Sequence, residues 1–350
     1  MIQLTPDAPG VGGQGLGEGG GFLTWGWVAL MFDCLQAMNP PRRAVIDIGT
    51  NSIKLLVGEV HSGIVRPIEE RSEQTRLGAG FYDTHLLQPV PIARTASAVA
   101  SFCAYARELD AGAIRVVATS AARDAKNPDD LVLAVRRASG LRIEIISGDQ
   151  EAEWVYLGVT SDERFHGKPL LILDVGGGST EFILGDQAHH QFRQSFPLGS
   201  VRLLEKLRPH DPPSIQDLAG CREWLREFTV RQLGPAMELT LTESVRRQIT
   251  LVGTGGTTSI LARMEKKLTQ FTREHIDGTC LTRQGILDYM VHLWSLPLSE
   301  RRKIIGLPGN RADVIIMGVA IYEAVMQHFG LQELHVSTRG LRFGALLDSA

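Results

Sequence analysis

The chain has 350 residues, 43% of them hydrophobic, and a formal net charge of −3. That length holds one or two domains with a full core, and the slightly acidic balance argues against bulk nucleic-acid binding, which usually brings a basic excess. Cys34, Cys103, Cys221 and Cys280 stand far apart with no C-x-x-C between them. This argues against a disulfide framework and a zinc site, and favours a reducing cytoplasm.

Residues 1–39 differ from the rest. Residues 7–21 hold eight glycines, and residues 21–32 are apolar but only twelve long, too short to span a bilayer. A disordered or mis-started extension is expected here, with Met38 as the natural start and no membrane attachment. From Ala44 onward the punctuation is regular. Residues 44–60 read as a hairpin, and 66–80 as a strand and loop. Residues 91–111 show helical periodicity on Ile92, Ala96, Val99, Phe102, Cys103 and Ala106. A buried strand is predicted at 114–118, a helix at 128–140 with a glycine stop, and a strand at 143–146 running into a helix. The second half opens with a hairpin at 170–174 and 181–184, followed by a strand at 191–198. Helices are predicted at 211–233, 283–293 and 311–330. A strand, Gly-Thr-Gly-Gly turn and helix fill 250–264. A last strand at 335–337 and a short helix at 340–347 close the chain. This alternation argues for a layered α/β fold.

The two hairpins, AVIDIGTNSIKLLVGEV and LLILDVGGGSTEFILGD, share one layout: an apolar run ending in Asp, a small glycine-bearing turn with a hydroxyl, and a second apolar run. Asp47 and Asp174 lie 127 positions apart, about one domain's length. Glycines let the backbone approach an anion, and Ser52, Ser179 and Thr180 add donors. Asp at the strand end can hold a divalent cation. Two such units imply two related domains facing each other across a phosphate. The turn at residues 253–256, leading into a helix, is a further anion site or simply a tight turn. Glu151, at a helix start, either stabilises the helix dipole or does chemistry. Arg123, after a buried strand, is a solvated loop charge or a site residue. Arg301, Arg302 and Lys303 form a basic triplet that usually lies in water. With Arg263, Lys266, Lys267 and Arg273 they could instead build a polyanion track on one face. The ten histidines show no metal-binding spacing.

The segments DIGTNS, TSAARDAKN, ISGDQEAE, LDVGGGSTE, PLGSVRL, GTGGT and PGNRADVI occur in one order. Together they resemble the exopolyphosphatase / guanosine pentaphosphate phosphohydrolase (Ppx/GppA) family, over roughly residues 43–347, in its short form without a helical C-terminal domain. The resemblance implies an α/β fold of two actin-like (ribonuclease H-like) domains around a cleft, as in the sugar kinase–actin–heat-shock ATPase superfamily. Domain I would hold residues 40–153 plus 337–350, and domain II residues 154–336. It also implies release of terminal phosphate from polyphosphate or pppGpp with Mg²⁺ or Mn²⁺, without nucleic acid, with homodimerisation left open. Glu151 falls on the family's catalytic glutamate, Arg123 on its arginine, and Asp174 and Glu181 on its acidic pair. In that frame Glu151 takes a proton from water and Arg123 clamps a nonbridging oxygen. Asp47, Asp174 and Glu181 hold the metal. Gly49, Thr50, Asn51, Ser52, Gly176, Gly177, Gly178, Ser179, Gly255, Gly256 and Thr257 cradle phosphate. Phe343 stands where many members have Glu. A sugar- or acetate-kinase-like phosphotransferase and a non-catalytic actin-like nucleotide scaffold are the alternatives.

Overall fold

A computed structural model describes residues 41–186 and 189–348. The expectations for residues 1–39 lie outside this range. Residues 42–348 form one compact unit built on two sheets.

In the first sheet, β1 (Arg42–Ile48) and β2 (Ile53–His61) pair antiparallel, and β3 (Ile64–Glu73) extends the meander. On the other side of β1, β4 (Ala113–Ala118) and β5 (Ile143–Ile145) run parallel to it, giving the order β3-β2-β1-β4-β5. The second sheet repeats this plan. The strands β6 (Leu170–Val175), β7 (Thr180–Gly185) and β8 (His190–Phe196) form the antiparallel meander. Next, β9 (Thr250–Thr254) and β11 (Glu333–Val336) add in parallel, and β10 (Cys280–Thr282) closes the edge antiparallel to β11. The order is β10-β11-β9-β6-β7-β8. The central strands β1 and β6 read as near-continuous apolar runs because both of their faces are covered.

Three apolar clusters hold these layers. One packs the helices Pro89–Glu108 and Pro128–Ser139 against the first sheet. Another packs the helices Ile215–Phe228, Arg283–Ser295 and Ile315–Phe329 against the second. The third lies between the sheets, joining Val45, Leu56 and Val117 to Leu170, Ile172, Ile183 and Val252. Two helices fill it. Gly148–Thr160 carries the chain from the first sheet to the second, and Leu341–Leu347 brings it back. They cross backbone to backbone. A Cβ on Gly344 would lie 1.9 Å from the Trp154 carbonyl, and one on Gly158 would lie 2.2 Å from the Gly340 carbonyl. No larger residue fits this crossing without moving a helix.

The expected helix at 211–233 begins later. Ser214 and Asp217 form a capping box that starts the helix at Ile215, and its end relaxes into a π turn at Thr229–Leu233. Similarly, the expected helix at 311–330 starts at Ile315, leaving Arg311 in a preceding 3₁₀ turn. The edge strand β10 carries no apolar alternation long enough to read in sequence.

Candidate active site

The two Asp-bearing hairpins are built alike. Each turn closes with the same bond, Gly49 N–H to the Ser52 carbonyl and Gly176 N–H to the Ser179 carbonyl, both 3.0 Å. In each, the Asp at the end of the first strand faces a residue seven positions on. Asp47 pairs with Lys54, and Asp174 with Glu181. The second turn lies against the first. A Cβ on Gly178 would meet the Thr50 hydroxyl at 2.7 Å, and one on Gly177 would meet Thr50 Cβ at 3.0 Å. The two glycine loops therefore close over one shared space.

That space is a small cavity of about 90 Å³ lined by both turns, Asp47, Lys54, Glu151, Asp174, Glu181 and Arg311. A larger cavity of about 340 Å³ shares Asp47, Ser52, Lys54, Asp174, Gly256 and Arg311 with it, and is also lined by Arg71, Arg263, Phe271 and Arg342. Inside the small cavity, the Ser52 hydroxyl and the Asn51 side-chain amide nitrogen are buried without a hydrogen-bond partner. Such groups are costly unless a ligand satisfies them.

Glu151 is positioned by its helix start. Ser147 caps the helix by accepting from Gln150 N–H at 3.1 Å, which holds Glu151 in the first turn. Arg123 Nη1 donates to Glu151 Oε2 at 2.8 Å and to the Ile146 carbonyl at 3.2 Å. Burial pushes the Glu151 carboxyl up to about 7, with Asp47 and Asp174 adding to the rise against the pull of Arg123. Burial likewise raises Asp174 to about 6, opposed by Lys54 and assisted by Asp47. The same cause raises Asp47. Glu181 is raised by burial, then by Glu151 and Asp174, although Ser195 Oγ donates to its Oε1 at 2.7 Å. Four acids, Glu151 and Glu181 buried and Asp47 and Asp174 half-buried, are thus held against their charge. An all-oxygen donor set in that state suits a hard divalent cation, although among the described residues no three of these carboxylates bring their oxygens within 4.8 Å of one another.

The third loop completes the cradle. Gly255 takes φ +86° at the start of the helix Gly255–Glu265, and a Cβ there would lie 2.1 Å from Asp174 Oδ1. At Gly256 the Lys54 Nζ and Arg311 Nη2 each lie 3.9 Å from the Cβ position. Two buried cations flank a helix N-terminus there, an arrangement that attracts phosphate. Desolvation lowers Arg311 to about 10.

Residues 44–350 match the Ppx/GppA phosphatase family. The chain belongs to that family. It is 31% identical over 324 residues to "Exopolyphosphatase 2" of Mycobacterium tuberculosis, covering 88% of this chain and 98% of that one. "Guanosine-5'-triphosphate,3'-diphosphate pyrophosphatase" of Aeromonas hydrophila is 28% identical, covering 88% of this chain and 59% of the relative. The crystal structure of the Aquifex aeolicus member of the Ppx/GppA protein family matches with a TM-score of 0.71 at 30% identity, covering 88% of this chain and 96% of that one. The fold is accordingly the actin-like α/β fold of this phosphatase family, and the repeated strand order of the two sheets is its signature.

Within the family frame some sequence expectations change. Arg123 lines neither cavity. Its guanidinium is turned to Glu151 and the Ile146 carbonyl. The cations at the cradle are Lys54 and Arg311, and neither was singled out from sequence. Lys54 was recoverable, because it sits at the same seven-residue offset from Asp47 as Glu181 does from Asp174. No sequence signal gave Arg311 a role beyond the motif that contains it. The seven basic residues do not form one track. Arg301 is buried, donating to the Ala312 carbonyl at 3.1 Å, and Arg273 is held by Glu70 and Thr338. Phe343, where many members carry Glu, is buried between two guanidinium groups, Arg273 at 4.6 Å and Arg339 at 5.2 Å from its ring. Both are cation–π contacts. Glu70 supplies the carboxylate, bonding Arg273 and, at 3.0 Å, Arg342. No helix among the described residues is long and apolar enough to cross a membrane.

Proposed function

We propose that this chain is a metal-dependent exopolyphosphatase that releases terminal phosphate from inorganic polyphosphate, with Glu151 as the general base. The observation that carries this reading is the buried Glu151 carboxyl, raised to about 7 and facing a cradle of two glycine loops, Lys54 and Arg311. The terminal phosphate would lie against the turns at residues 49–52 and 176–179 and the loop at 255–257. Lys54 and Arg311 would neutralise its nonbridging oxygens. Arg123 holds Glu151 so that its free oxygen can accept a proton from water. The water oxygen bonds to the terminal phosphorus as the bridging P–O bond breaks. The water proton passes to Glu151, and the leaving oxygen stays on the shortened chain with its electron pair. Asp47, Asp174 and Glu181 would hold Mg²⁺ or Mn²⁺, which supplies charge neutralisation and orientation of the phosphate when bound.

Two halves, residues 40–153 plus 337–350 and residues 154–336, would act as jaws around the phosphate. The larger cavity, with Arg71, Arg263 and Arg342, would receive the rest of the polyanion. A second substrate, pppGpp, is favoured by one feature: the half-exposed Phe271 ring on the wall of that cavity gives a purine a stacking face. The test is phosphate release from long polyphosphate, tripolyphosphate, pppGpp and ATP at matched concentration, with and without Mg²⁺. Release from polyphosphate that needs the metal supports the reading. Turnover only in the presence of a sugar or acetate acceptor would replace it with a kinase.

A further inference from the structure

We propose that Cys280, Glu333 and His335 form a binding site for a divalent transition-metal ion of the Zn²⁺ class on the outer edge of the second sheet. None of the three lines either cavity, so the site is separate from the phosphate cradle. The cluster is made by strand pairing. In the β10–β11 pair, Cys280 lies directly opposite His335, Leu281 opposite Leu334, and Thr282 opposite Glu333. Leu281 and Leu334 are 2% and 0% exposed. With these two side chains turned into the core, strand alternation sends Cys280, Glu333 and His335 to the opposite face together.

The ligand atoms of these three residues lie within 4.8 Å of one another, the one such group of three among the described residues. His335 Nε2 is already 3.5 Å from Glu333 Oε2. Tetrahedral zinc with its usual bond lengths places sulfur, nitrogen and oxygen ligands about 3.4–3.6 Å apart. Small side-chain rotations would close the cluster onto an ion and leave a fourth position for water. The backbone scaffold is fixed at both ends of the pair. Val336 N–H donates to the Thr279 carbonyl at 2.9 Å, Gly278 N–H to the Val336 carbonyl at 3.0 Å, and Arg283 N–H to the Gln332 carbonyl at 2.8 Å. Thiolate with imidazole and a carboxylate selects a borderline-soft ion over Mg²⁺ or Ca²⁺. The ligand is the thiolate, so binding releases the thiol proton to solvent.

The experiment titrates metal-stripped full-length protein with Co²⁺ in excess Mg²⁺, followed by optical absorption. The expected result is a near-ultraviolet thiolate-to-cobalt band that saturates at one equivalent, with visible bands of a four-coordinate ion, and Zn²⁺ displacing both. Cys280→Ala removes the sulfur band. His335→Ala weakens binding at least about 100-fold, since even outer-shell partners of metal ligands are worth 10–100-fold. A spectrum without the sulfur band, or a band that persists in Cys280→Ala, overturns the proposal. Should an alanine variant fail to fold, alkylation of Cys280 in the wild-type protein decides the matter. Saturating Zn²⁺ should slow it at least about tenfold, because only the free thiolate reacts. An unchanged rate would refute the site.

Discussion

Replacing Glu151 by Gln separates two quantities that usually fall together. The Glu151 carboxyl is buried and raised from its ordinary 4.5 to about 7. The folded protein therefore holds this proton more tightly than the unfolded chain does. The stability it contributes is complete below pH 4.5 and is lost as pH rises through about 7. At about 1.4 kcal/mol per pKa unit, the gap sets a ceiling of about 3 kcal/mol on the cost of the ionised form at pH 8. Gln keeps the shape and imposes no such cost, although it gives up the ionic part of the 2.8 Å contact with Arg123. At about 2 °C per kcal/mol for a chain this long, Tm should rise by up to about 6 °C at pH 8, and the difference should shrink toward zero by pH 5. Turnover should fall by about 10²–10⁴, the usual range for loss of a general base. Thermal denaturation of both proteins at pH 5 and 8, beside initial rates of phosphate release, reads both effects. A variant less stable than wild type at pH 8 would refute the account of a strained buried carboxylate. Near-normal turnover would remove Glu151 from the chemistry.

In the wild type, the same titration should make kcat/KM climb with pH through about 7 and level off above it, as a pH–rate profile would show. Asp174→Asn should raise the Mg²⁺ concentration needed for half-maximal rate and lower the rate itself, because an amide is a poorer ligand for a hard cation; EDTA should abolish wild-type activity, and full activity in EDTA would rule out the metal role. Arg311→Ala should lower kcat/KM by about 10–100-fold, the worth of a charge-assisted hydrogen bond to phosphate, as initial rates of phosphate release would show. Gly255→Ala should destabilise by about 1–3 kcal/mol through overpacking and should shift the Mg²⁺ response as well, since the added methyl displaces Asp174 Oδ1; an unaltered Mg²⁺ titration would show that Asp174 does not hold the ion.

The paired Asp-glycine turns were legible because strand, Asp, turn and hydroxyl recur at the same spacing, and the structure gives both turns the same closing hydrogen bond. Glu151 was legible as a helix-start carboxylate, but not its depth, which depends on the second hairpin arriving from more than twenty residues away. Arg123 reads in sequence as a loop cation free to meet substrate; only the packing of residues 120–123 beside the Gly148–Thr160 helix start turns it onto Glu151. Lys54 sits in an apolar strand, where a lysine reads as a solvent-facing position, and only the fold brings its ammonium beside Gly256. Arg301 reads as wet because it heads a basic triplet, yet it is buried and donates to the Ala312 carbonyl. The Cys280, Glu333 and His335 cluster had no linear spacing to find, because strand pairing alone brings it together.

The seven-residue offset in the two hairpins ends in opposite charges, lysine in one and glutamate in the other. Two identical copies of either half, meeting face to face, would bring lysine to lysine or glutamate to glutamate. Neither pairing would set a lysine opposite a glutamate at this offset. Joining the halves in one chain frees each to differ at that position. The lysine–glutamate difference at this offset is in this sense a product of covalent linkage, and a protein assembled from one repeated half could not have it.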